Sequence, residues 1–325
     1  MAKKVLFINL GGIGDEIMFL PTINSFKQEF PDAHITLALE KRSSAISDLT
    51  DLVDCLIFVE KSKLGMLKLL FKMWSENFDI VISSGSNKLI SILLFLSGIK
   101  TRVGYNSGTF SKKLLTNAVE LNKNQYAVKM YHSLVTPFTD KITELPSFNV
   151  ENKSIRPNTI LIHPGVSKRS FEQGMIKTIK PEEWAELVLE LSKSGKEIIL
   201  TGGKDDIETI DLIKSKLDSN LYTDMTGKTS TLRDLAELIS ESEIFVCSDS
   251  APLHIAVGMS TKTFVFFGST DYKKLIPNSD KITPILNDFE CPLKPCLWER
   301  RQKSCEELGC LKFDIKQVAK KILSQ

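Results

Sequence analysis

Short apolar runs alternate with longer segments of helical periodicity along the first half of the chain. Four of the runs predict strands, at Val5–Leu10, His34–Leu39, Cys55–Val59 and Phe78–Ser83. Two amphipathic segments predict helices, at about Gly14–Phe30 and Lys63–Ser75. Strands that alternate with helices at this spacing are typical of βαβ units and a parallel sheet.

The pattern fades between Thr139 and Thr159, where a polar stretch contains Pro146 and Pro157, and this stretch predicts a linker. Beyond it the alternation restarts, with strands and helices predicted at 159–163, 181–194, 196–201, 206–217, 232–240, 244–247, 252–258 and 263–267. We therefore expect an α/β protein with two Rossmann-like, doubly wound domains, 1–157 and 158–325, that face each other across a central cleft.

Composition narrows the class of protein. The chain has 325 residues, 42% hydrophobic and 25% charged, with a net charge of +2, so neither disorder nor nucleic-acid binding is expected. The longest apolar run, Leu89–Ile99, is too short to cross a bilayer. Because the six cysteines accompany no export signal, we expect reduced thiols in a cytoplasmic protein.

Six loops rich in glycine and small polar residues follow predicted strands. They are Gly11–Asp15, Ser83–Ser86, His163–Ser167, Thr201–Gly203, Ser248–Pro252 and Gly268–Asp271. In open parallel sheets ligands bind beyond the carboxyl ends of the strands. The loops are therefore expected to line a ligand site.

The second domain offers the better anion site. Ser248–Ala251 follows a strand and opens a helix, so free backbone N–H groups and the positive helix end are available to phosphates. Ser250 adds a hydroxyl and His254 lies in the first helical turn, while Asp249 is expected to cap the helix. Ser167, next to Lys168, could face the same pocket.

A second loop group of this domain suits the nucleotide and its sugar. Gly202 and Gly203 let a ligand approach the backbone, and Asp206 or its neighbour Asp205 could accept hydrogen bonds from sugar hydroxyls. The two loop groups predict a pocket for a nucleotide diphosphate.

Together these stretches resemble glycosyltransferase family 9, the ADP-heptose:lipopolysaccharide heptosyltransferases, over most of the chain. The motifs that carry the resemblance are Gly12-Ile13-Gly14-Asp15 with Pro21, His163-Pro164-Gly165, Leu200-Thr201-Gly202-Gly203, Met225-Thr226-Gly227, Ser248–Ala256 and Phe267–Asp271. The resemblance implies the two-domain GT-B fold. It also implies an inverting, metal-independent transfer of heptose or a related sugar from an ADP-sugar to a hydroxyl of a lipopolysaccharide core or similar glycan.

The resemblance also assigns roles to residues. It implies that Asp15 is the catalytic base and that Ser250, Ala251 and His254 hold the donor phosphates, although Ala251 stands where the family usually has glycine. Thr270 and Asp271 would lie on the nucleotide side. A family lysine also binds phosphate; Lys168, Lys177 and Lys180 are all candidates, and Lys177 is favoured.

The acceptor is expected on the first domain, beside Gly12, Gly14 and Asp15. Arg102, with Lys112 and Lys113, could contact acidic groups of a lipopolysaccharide core, or could be ordinary solvated surface. No Asp-x-Asp pair stands at a strand end to hold a divalent metal, so no cofactor is expected to be required.

The segment Lys61–Trp74 places Leu64, Leu67, Phe71 and Trp74 at helical spacing between lysines. The pattern fits a helix that lies on a membrane surface, which suggests peripheral contact with the cytoplasmic face of the inner membrane. An ordinary helix packed on its sheet explains the same pattern and is favoured.

Four cysteines lie close together near the C-terminus: Cys291, Cys296, Cys305 and Cys310. Four thiols within 20 residues could form a structural zinc or iron site. Reduced or partly disulfide-bonded structural cysteines explain the same pattern.

Three other functions fit parts of the sequence. A nicotinamide-dependent oxidoreductase would use Gly12-x-Gly14 and Glu40, but Ile17 replaces the third glycine and Asp15 would crowd a pyrophosphate. A sugar-nucleotide epimerase or hydrolase, or a non-catalytic nucleotide-sugar binding protein, would fit the same fold.

Overall fold

The structure is a computed structural model that describes residues 2–166, 168–297, 305 and 307–324. The chain divides into two compact units, Met1–Asn149 and Val150–Gln325. Each unit is built on a six-stranded sheet in which all the strand pairs are parallel. Strands followed by helical crossovers give each unit the doubly wound α/β architecture that the sequence predicts.

The first unit has the strand order β3-β2-β1-β4-β5-β6. Its strands are β1 (Lys4–Ile8), β2 (His34–Leu39), β3 (Cys55–Phe58), β4 (Ile80–Ser83), β5 (Thr101–Tyr105) and β6 (Asn117–Val119). Its helices are α1 (Ile13–Glu29), α2 (Lys63–Glu76), α3 (Lys88–Leu96), α4 (Thr109–Leu114) and α5 (Ala127–His132), with 3₁₀ segments at Lys41–Asp48 and Ser133–Val135.

The second unit has the strand order β12-β11-β10-β7-β8-β9. Its strands are β7 (Arg156–His163), β8 (Glu197–Leu200), β9 (Thr223–Asp224), β10 (Ser242–Ser248), β11 (Thr263–Phe266) and β12 (Ile282–Ile285). Its helices are α6 (Lys168–Glu172), α7 (Pro181–Ser192), α8 (Ile207–Lys214), α9 (Leu232–Glu241), α10 (Ala251–Met259), α11 (Tyr272–Leu275) and α12 (Ile315–Leu323). Short 3₁₀ segments lie at Lys204–Asp206, Ser219–Leu221 and Gly309–Leu311.

Two capping residues determine where α2 begins and ends. The Ser62 hydroxyl caps the helix by accepting the Gly65 N–H at 3.0 Å. Asn77 then ends it in the left-handed conformation, which asparagine tolerates better than most residues. The helix predicted by the apolar pattern therefore has a capping residue at its start and a left-handed residue at its end.

The predicted strands form strands and the predicted helices form helices, and several of them have bounds within one residue of the prediction. Strand β2 matches its prediction residue for residue, and α2 ends one residue later than predicted. Strand β7 starts at Arg156, which pairs with Ser242 of β10, so the boundary predicted after residue 157 falls inside this strand. The apolar run Leu89–Ile99 forms most of α3, and no helix in the described part of the chain is long and apolar enough to span a bilayer.

A buried hydroxyl network ties together three segments of the second unit. Thr178, 6% exposed, donates to the Pro164 carbonyl at 2.9 Å and accepts the indole N–H of Trp184 at 2.9 Å. The Ser248 hydroxyl donates to the same Thr178 oxygen at 2.8 Å. The loop after β7, the end of β10 and the start of α7 are therefore held together by one side chain.

We expect Thr178→Val to lower the free energy of unfolding by about 1 to 3 kcal/mol, since the nearly isosteric valine leaves the buried Trp184 N–H without an acceptor, whereas the Ser248 hydroxyl can still donate to the Pro164 carbonyl. Chemical denaturation monitored by circular dichroism measures the change. Thr136→Val, at an exposed position, is the matched control and should change stability by less than about 0.5 kcal/mol. Equal stability of the two variants would contradict the network's role.

Candidate active site

The loop Gly11–Asp15 connects β1 to α1 at the carboxyl edge of the first sheet. Gly12 is the N-cap of α1, so Gly14 and Asp15 lie in its first turn. Because parallel strands end at the same edge, the residues that follow β2 and β4 also lie here. The structure thus brings Gly12, Gly14 and Asp15 together as the sequence predicts.

The Asp15 carboxylate is held in a fixed orientation at this loop. Its Oδ2 accepts the Gly12 N–H at 2.8 Å. The buried Tyr131 side chain lies close to the same carboxylate, and burial first, followed by the negative charge of Asp15, raises the pKa of Tyr131 well above its usual value. A Cβ on Gly11 would lie 2.3 Å from the Asp15 Cβ, so only glycine fits there. Asp15 itself stays partly exposed.

Side chains from three elements hold the backbone of this loop. Asn9, which is 3% exposed, donates through Nδ2 to the Asp15 carbonyl at 3.4 Å, and the Ser84 hydroxyl after β4 donates to the Asn9 side-chain oxygen. The Ser43 hydroxyl donates to the Gly11 carbonyl at 3.0 Å. Hydrogen bonds from three segments of the chain therefore support this loop.

Glu16, the next residue, occupies a different environment from Asp15. It is 1% exposed, and its Oε1 accepts the Gly11 N–H at 3.2 Å. Burial raises the pKa of the Glu16 carboxyl to about 8, against the weaker effect of hydrogen bonds from Asn9 and Gly11. At neutral pH Glu16 is therefore mostly protonated, which could not be predicted from its place in the sequence.

An ion-paired group formed by Glu40, Arg42 and Lys61, which the sequence does not predict, lies beside the loop. Glu40 accepts two hydrogen bonds from the Arg42 guanidinium, at 3.0 and 3.1 Å, and its Oε1 is 2.7 Å from the Lys61 ammonium. Burial opposes ionisation of Glu40, but these two cations lower its pKa to about 2. Glu40 is thus already paired, which disfavours the ribose-binding role that an oxidoreductase would require.

The second group of predicted residues surrounds the end of β10. Asp249, 4% exposed, accepts a hydrogen bond from the Thr270 hydroxyl at 2.8 Å, and its Oδ2 is 3.2 Å from the Lys177 ammonium. Ser250, and not Asp249 as predicted, is the N-cap of α10, and its hydroxyl makes no capping hydrogen bond. Ala251 opens the helix, and His254, 4% exposed, follows one turn later. The first turn of α10 therefore keeps the electrostatic character that favours an anion.

Of the three candidate lysines, Lys177 lies closest to this group. Lys168 lies in α6 with an exposed side chain, and Lys180 is the exposed N-cap of α7, whose N–H donates to Glu183 at 2.8 Å. Only Lys177 among them forms an ion pair with Asp249 in the described chain.

Asp206 has an internal role. Its Oδ2 accepts the Gly203 N–H at 2.9 Å and lies 3.7 Å from His163 Nε2. Glycine is required at 165, because a Cβ there would lie 2.0 Å from Asp206 Oδ1. The carboxylate therefore joins the loops after β7 and β8, while Gly202 and Gly203 stay at the end of β8 as predicted. Burial lowers the pKa of His163.

The remaining predicted residues are Thr270, Asp271 and Ser167. Thr270 is buried against Asp249, and Asp271 caps α11 by accepting the Lys273 N–H at 3.1 Å. Ser167 lies outside the described residues.

Arg102 does not join the loops of the candidate site. It lies near the amino end of β5, and its Nε donates to the Leu114 carbonyl at 3.0 Å while Nη1 donates to Ile99 and Lys100. Its guanidinium thus ties α4 to the end of α3, at the edge of the sheet opposite to Asp15. The expected acceptor contact is corrected to a structural role, since the guanidinium is used by backbone carbonyls. Lys112 and Lys113 are exposed in α4.

The cysteine-rich segment packs near the loop after β11. The Cys296 N–H donates to the Ser269 carbonyl at 2.9 Å, and Cys310 and Leu311 lie close to Gly268. Burial first, then the neighbouring thiols Cys291 and Cys305, raise the pKa of Cys296. Within the described residues the cysteines are free, and no group of three or more His, Cys, Asp or Glu side chains is arranged to hold a metal ion.

A family comparison identifies the protein class. Residues 66–305 match the model of "Glycosyltransferase family 9 (heptosyltransferase)". The chain belongs to glycosyltransferase family 9. This family-9 chain is 24% identical over 279 residues to lipopolysaccharide heptosyltransferase 3 of Escherichia coli, covering 80% of this chain and 82% of that one. It is 25% identical over 307 residues to lipooligosaccharide heptosyltransferase 2 of Campylobacter jejuni, covering 92% and 90%.

Solved structures agree on the fold. The family-9 chain superposes on E. coli ADP-heptose lps heptosyltransferase II with a TM-score of 0.70 at 20% identity, covering 97% of this chain and 99% of that one. It superposes on E. coli heptosyltransferase WaaC with ADP-2-deoxy-2-fluoro heptose with a TM-score of 0.68 at 16% identity, covering 87% and 92%. The iron-containing heptosyltransferase TibC is more distant, with a TM-score of 0.60 at 11% identity, covering 99% and 75%. The predicted GT-B fold is confirmed.

The Glu16 environment generates a pH prediction. Its folded pKa of about 8 lies above the ordinary 4.5, so the folded state binds the extra proton and loses stability as the pH rises from about 4.5 to about 8. Glu16→Gln removes this dependence. Between pH 6 and pH 9 the variant should gain about 2 to 3 kcal/mol of unfolding free energy relative to wild type.

Urea denaturation at the two pH values measures this gain, and exposed Glu208→Gln is the control that should follow wild type. Parallel pH profiles for wild type and Glu16→Gln would show that Glu16 does not hold the proton.

Proposed function

We propose that this enzyme transfers heptose or a related sugar from an ADP-sugar to a hydroxyl of a lipopolysaccharide core or similar glycan, with inversion at the anomeric carbon. The observation that carries the proposal is the Asp15 carboxylate. It is partly exposed in the first turn of α1, and the Gly12 N–H donates a hydrogen bond that orients it. A carboxylate fixed in this way suits a general base.

In the proposed reaction Asp15 takes the proton of the acceptor hydroxyl as its oxygen attacks the anomeric carbon. The attack comes from the face opposite the diphosphate, so the new bond forms as the bond to the diphosphate oxygen breaks, and ADP leaves with the electron pair. Because Glu16 is mostly protonated, it adds no second negative charge next to Asp15. The base therefore has no ionised carboxylate as its immediate neighbour in the chain.

The donor diphosphate is assigned to the loop that opens α10. The uncapped first turn provides positive character, Ser250 a hydroxyl, and Lys177 a cation that becomes available if the phosphate replaces Asp249 as its partner. All three features stabilise the negative charge that develops on the leaving diphosphate. The similar E. coli enzyme with a bound ADP-sugar analogue supports an ADP-linked donor.

The acceptor class rests on the relatives, which are named for lipopolysaccharide and lipooligosaccharide. We assign the reaction to the cytoplasmic face of the inner membrane, where a lipid-linked acceptor and a soluble donor would meet. No step is assigned to a metal. The described cysteines do not form a metal site, and the iron of TibC is a property of that protein.

We expect Asp15→Asn to lower the turnover number by at least 10²-fold, because the amide cannot accept the proton. Binding of ADP should be unchanged, since asparagine can still accept the Gly12 N–H. Radiolabelled sugar transfer to a core acceptor and calorimetry with ADP measure the two effects. Asp32→Asn, on an exposed turn, is the control. Transfer by Asp15→Asn at the wild-type rate would remove Asp15 as the base.

Lys177→Met should weaken ADP binding at least tenfold, while the same change at exposed Lys180 should alter binding less than twofold. The physical reason is that only Lys177 lies at the end of β10 beside Asp249. Calorimetry with ADP measures the difference, and thermal melts check that the Lys177 variant is folded. Equal affinities for the two variants would reject Lys177 as the phosphate ligand.

Product analysis separates the proposal from its rivals. Incubation with ADP-heptose alone yields an isomer if the enzyme is an epimerase, or free sugar if it is a hydrolase. Addition of a core acceptor yields a glycoside whose anomeric configuration is opposite to that of the donor if the proposal is correct. Retained configuration would reject inversion.

A further inference from the structure

Helices α2, α3 and α4 form one layer on one face of the first sheet. They connect β3 to β4, β4 to β5 and β5 to β6, which are successive steps in the same direction across the sheet. Right-handed crossovers in one direction place all three helices on the same face. A shared core of buried residues, including Leu69, Leu93 and Val81, fills the space between this layer and the strands.

The outer face of α2 is apolar although it is exposed to solvent. Leu69, Leu70 and Met73 are buried toward the sheet, whereas Leu64, Leu67, Phe71 and Trp74 are between 49% and 63% exposed. At about 100° per residue the exposed four share one face, and Lys63 and Lys68 lie on its two flanks. A helix that is apolar on both faces normally lies in a protein interior.

The neighbouring helices extend this surface. Leu89, Phe95 and Leu96 of α3 are 74%, 50% and 52% exposed, and Phe110 of α4 is 54% exposed. The Trp74 indole donates to the Leu96 carbonyl at 3.0 Å, which joins α2 to α3. We name the exposed apolar side chains of α2, α3 and α4 the outer helical surface.

The charge of this region is strongly one-sided. Residues 61–116 hold eight lysines and one arginine against Glu76 and Asp79, a net charge of +7. The rest of 1–157 holds 10 basic and 13 acidic residues, a net charge of −3. Lys63, Lys68 and Lys88 are exposed next to the apolar face, and Glu76 is paired with Lys72 at 2.6 Å.

We propose that the outer helical surface docks the enzyme on an anionic lipid bilayer, with the side chains of Leu64, Leu67, Phe71, Trp74, Leu89 and Phe95 inserted among the lipids. Exposed leucine and aromatic side chains flanked by lysines are the composition of interfacial helices. The lysines meet the negative headgroups. This inference deepens the proposed function, because it names how an enzyme with a lipid-linked acceptor would reach it.

The observations favour a bilayer over a second copy of the chain. Two copies that met through this face would bring two regions of net charge +7 together, which opposes association. An anionic bilayer offers the opposite charge and an apolar layer at the same time. Three adjacent helices also give it a broad contact area, whereas a single helix would provide only a narrow stripe.

Vesicle sedimentation tests the proposal with the full chain. Vesicles of phosphatidylcholine alone are compared with vesicles that contain phosphatidylglycerol. Wild type should partition at least tenfold more strongly onto the anionic vesicles, and 0.5 M salt should weaken this binding. The double variant Leu67→Glu/Phe71→Glu should lose at least tenfold in partitioning. Leu189→Glu/Leu212→Glu, at exposed apolar positions of α7 and α8, should bind as wild type does.

Circular dichroism and thermal melts check that both double variants are folded. If Leu67→Glu/Phe71→Glu does not fold, the milder Phe71→Ser variant takes its place. Equal partitioning of the outer-surface variant and wild type, or no binding of wild type to either vesicle, would overturn the proposal. So would a wild-type dimer in light scattering that Phe71→Ser dissociates. Vesicle binding requires no sugar transfer, so an enzyme that binds vesicles but transfers no sugar would refute only the proposed function.

Discussion

The parallel pairing of every strand in the two described sheets is the constraint on which the rest of the structure depends. A parallel strand must be followed by a crossover, so its carboxyl end always opens into a loop that leads away from the sheet. The loops that carry Asp15 and Ser250 follow β1 and β10, which are central strands of their sheets. At these positions neighbouring strands on both sides supply partners, such as Ser84 for Asn9 and Thr270 for Asp249. A loop on an edge strand would have such partners on one side only.

The same constraint explains how much the sequence could predict. Central strands are buried on both faces and appear as continuous apolar runs, so β2 could be read to the residue. Strand β5 was missed because Arg102 and Gly104 interrupt its apolar residues, and β12 because it contains Pro284. Helix α12 was missed although Ile315, Val318 and Ile322 recur at helical spacing, and its buried residues complete the core beside α7. Short or polar strands are defined by their hydrogen bonds to neighbouring strands, and the hydrophobic periodicity of the sequence does not show those hydrogen bonds.

The candidate site shows the same limit at the level of side chains. Glycine and helix-start signals located the Asp15 loop, but two adjacent carboxylates gave no sign of which is exposed. On a helix, adjacent side chains point about 100° apart, and here Asp15 faces solvent while Glu16 enters the core. The role of Arg102 was hard to predict for a related reason. An arginine beside a strand can bind an external anion or backbone carbonyls of its own chain, and only the fold decides which of the two it binds. Arg42 and Lys61, which are 19 positions apart, share Glu40 only because β2 and β3 are neighbours.

The exposed apolar side chains also distinguish the two units. In the second unit Leu189 and Leu212 lie on separate helices, and single exposed leucines of this kind are ordinary in soluble proteins. In the first unit the exposed apolar residues are concentrated on three consecutive helices, within the region 61–116 whose net charge is +7. Propensity alone does not require this arrangement, because α2 is already anchored by Leu69, Leu70 and Met73 and would fold with polar residues outside. The outer apolar residues are therefore not needed to anchor α2 to the sheet, and contact with an apolar environment is the role that we propose for them.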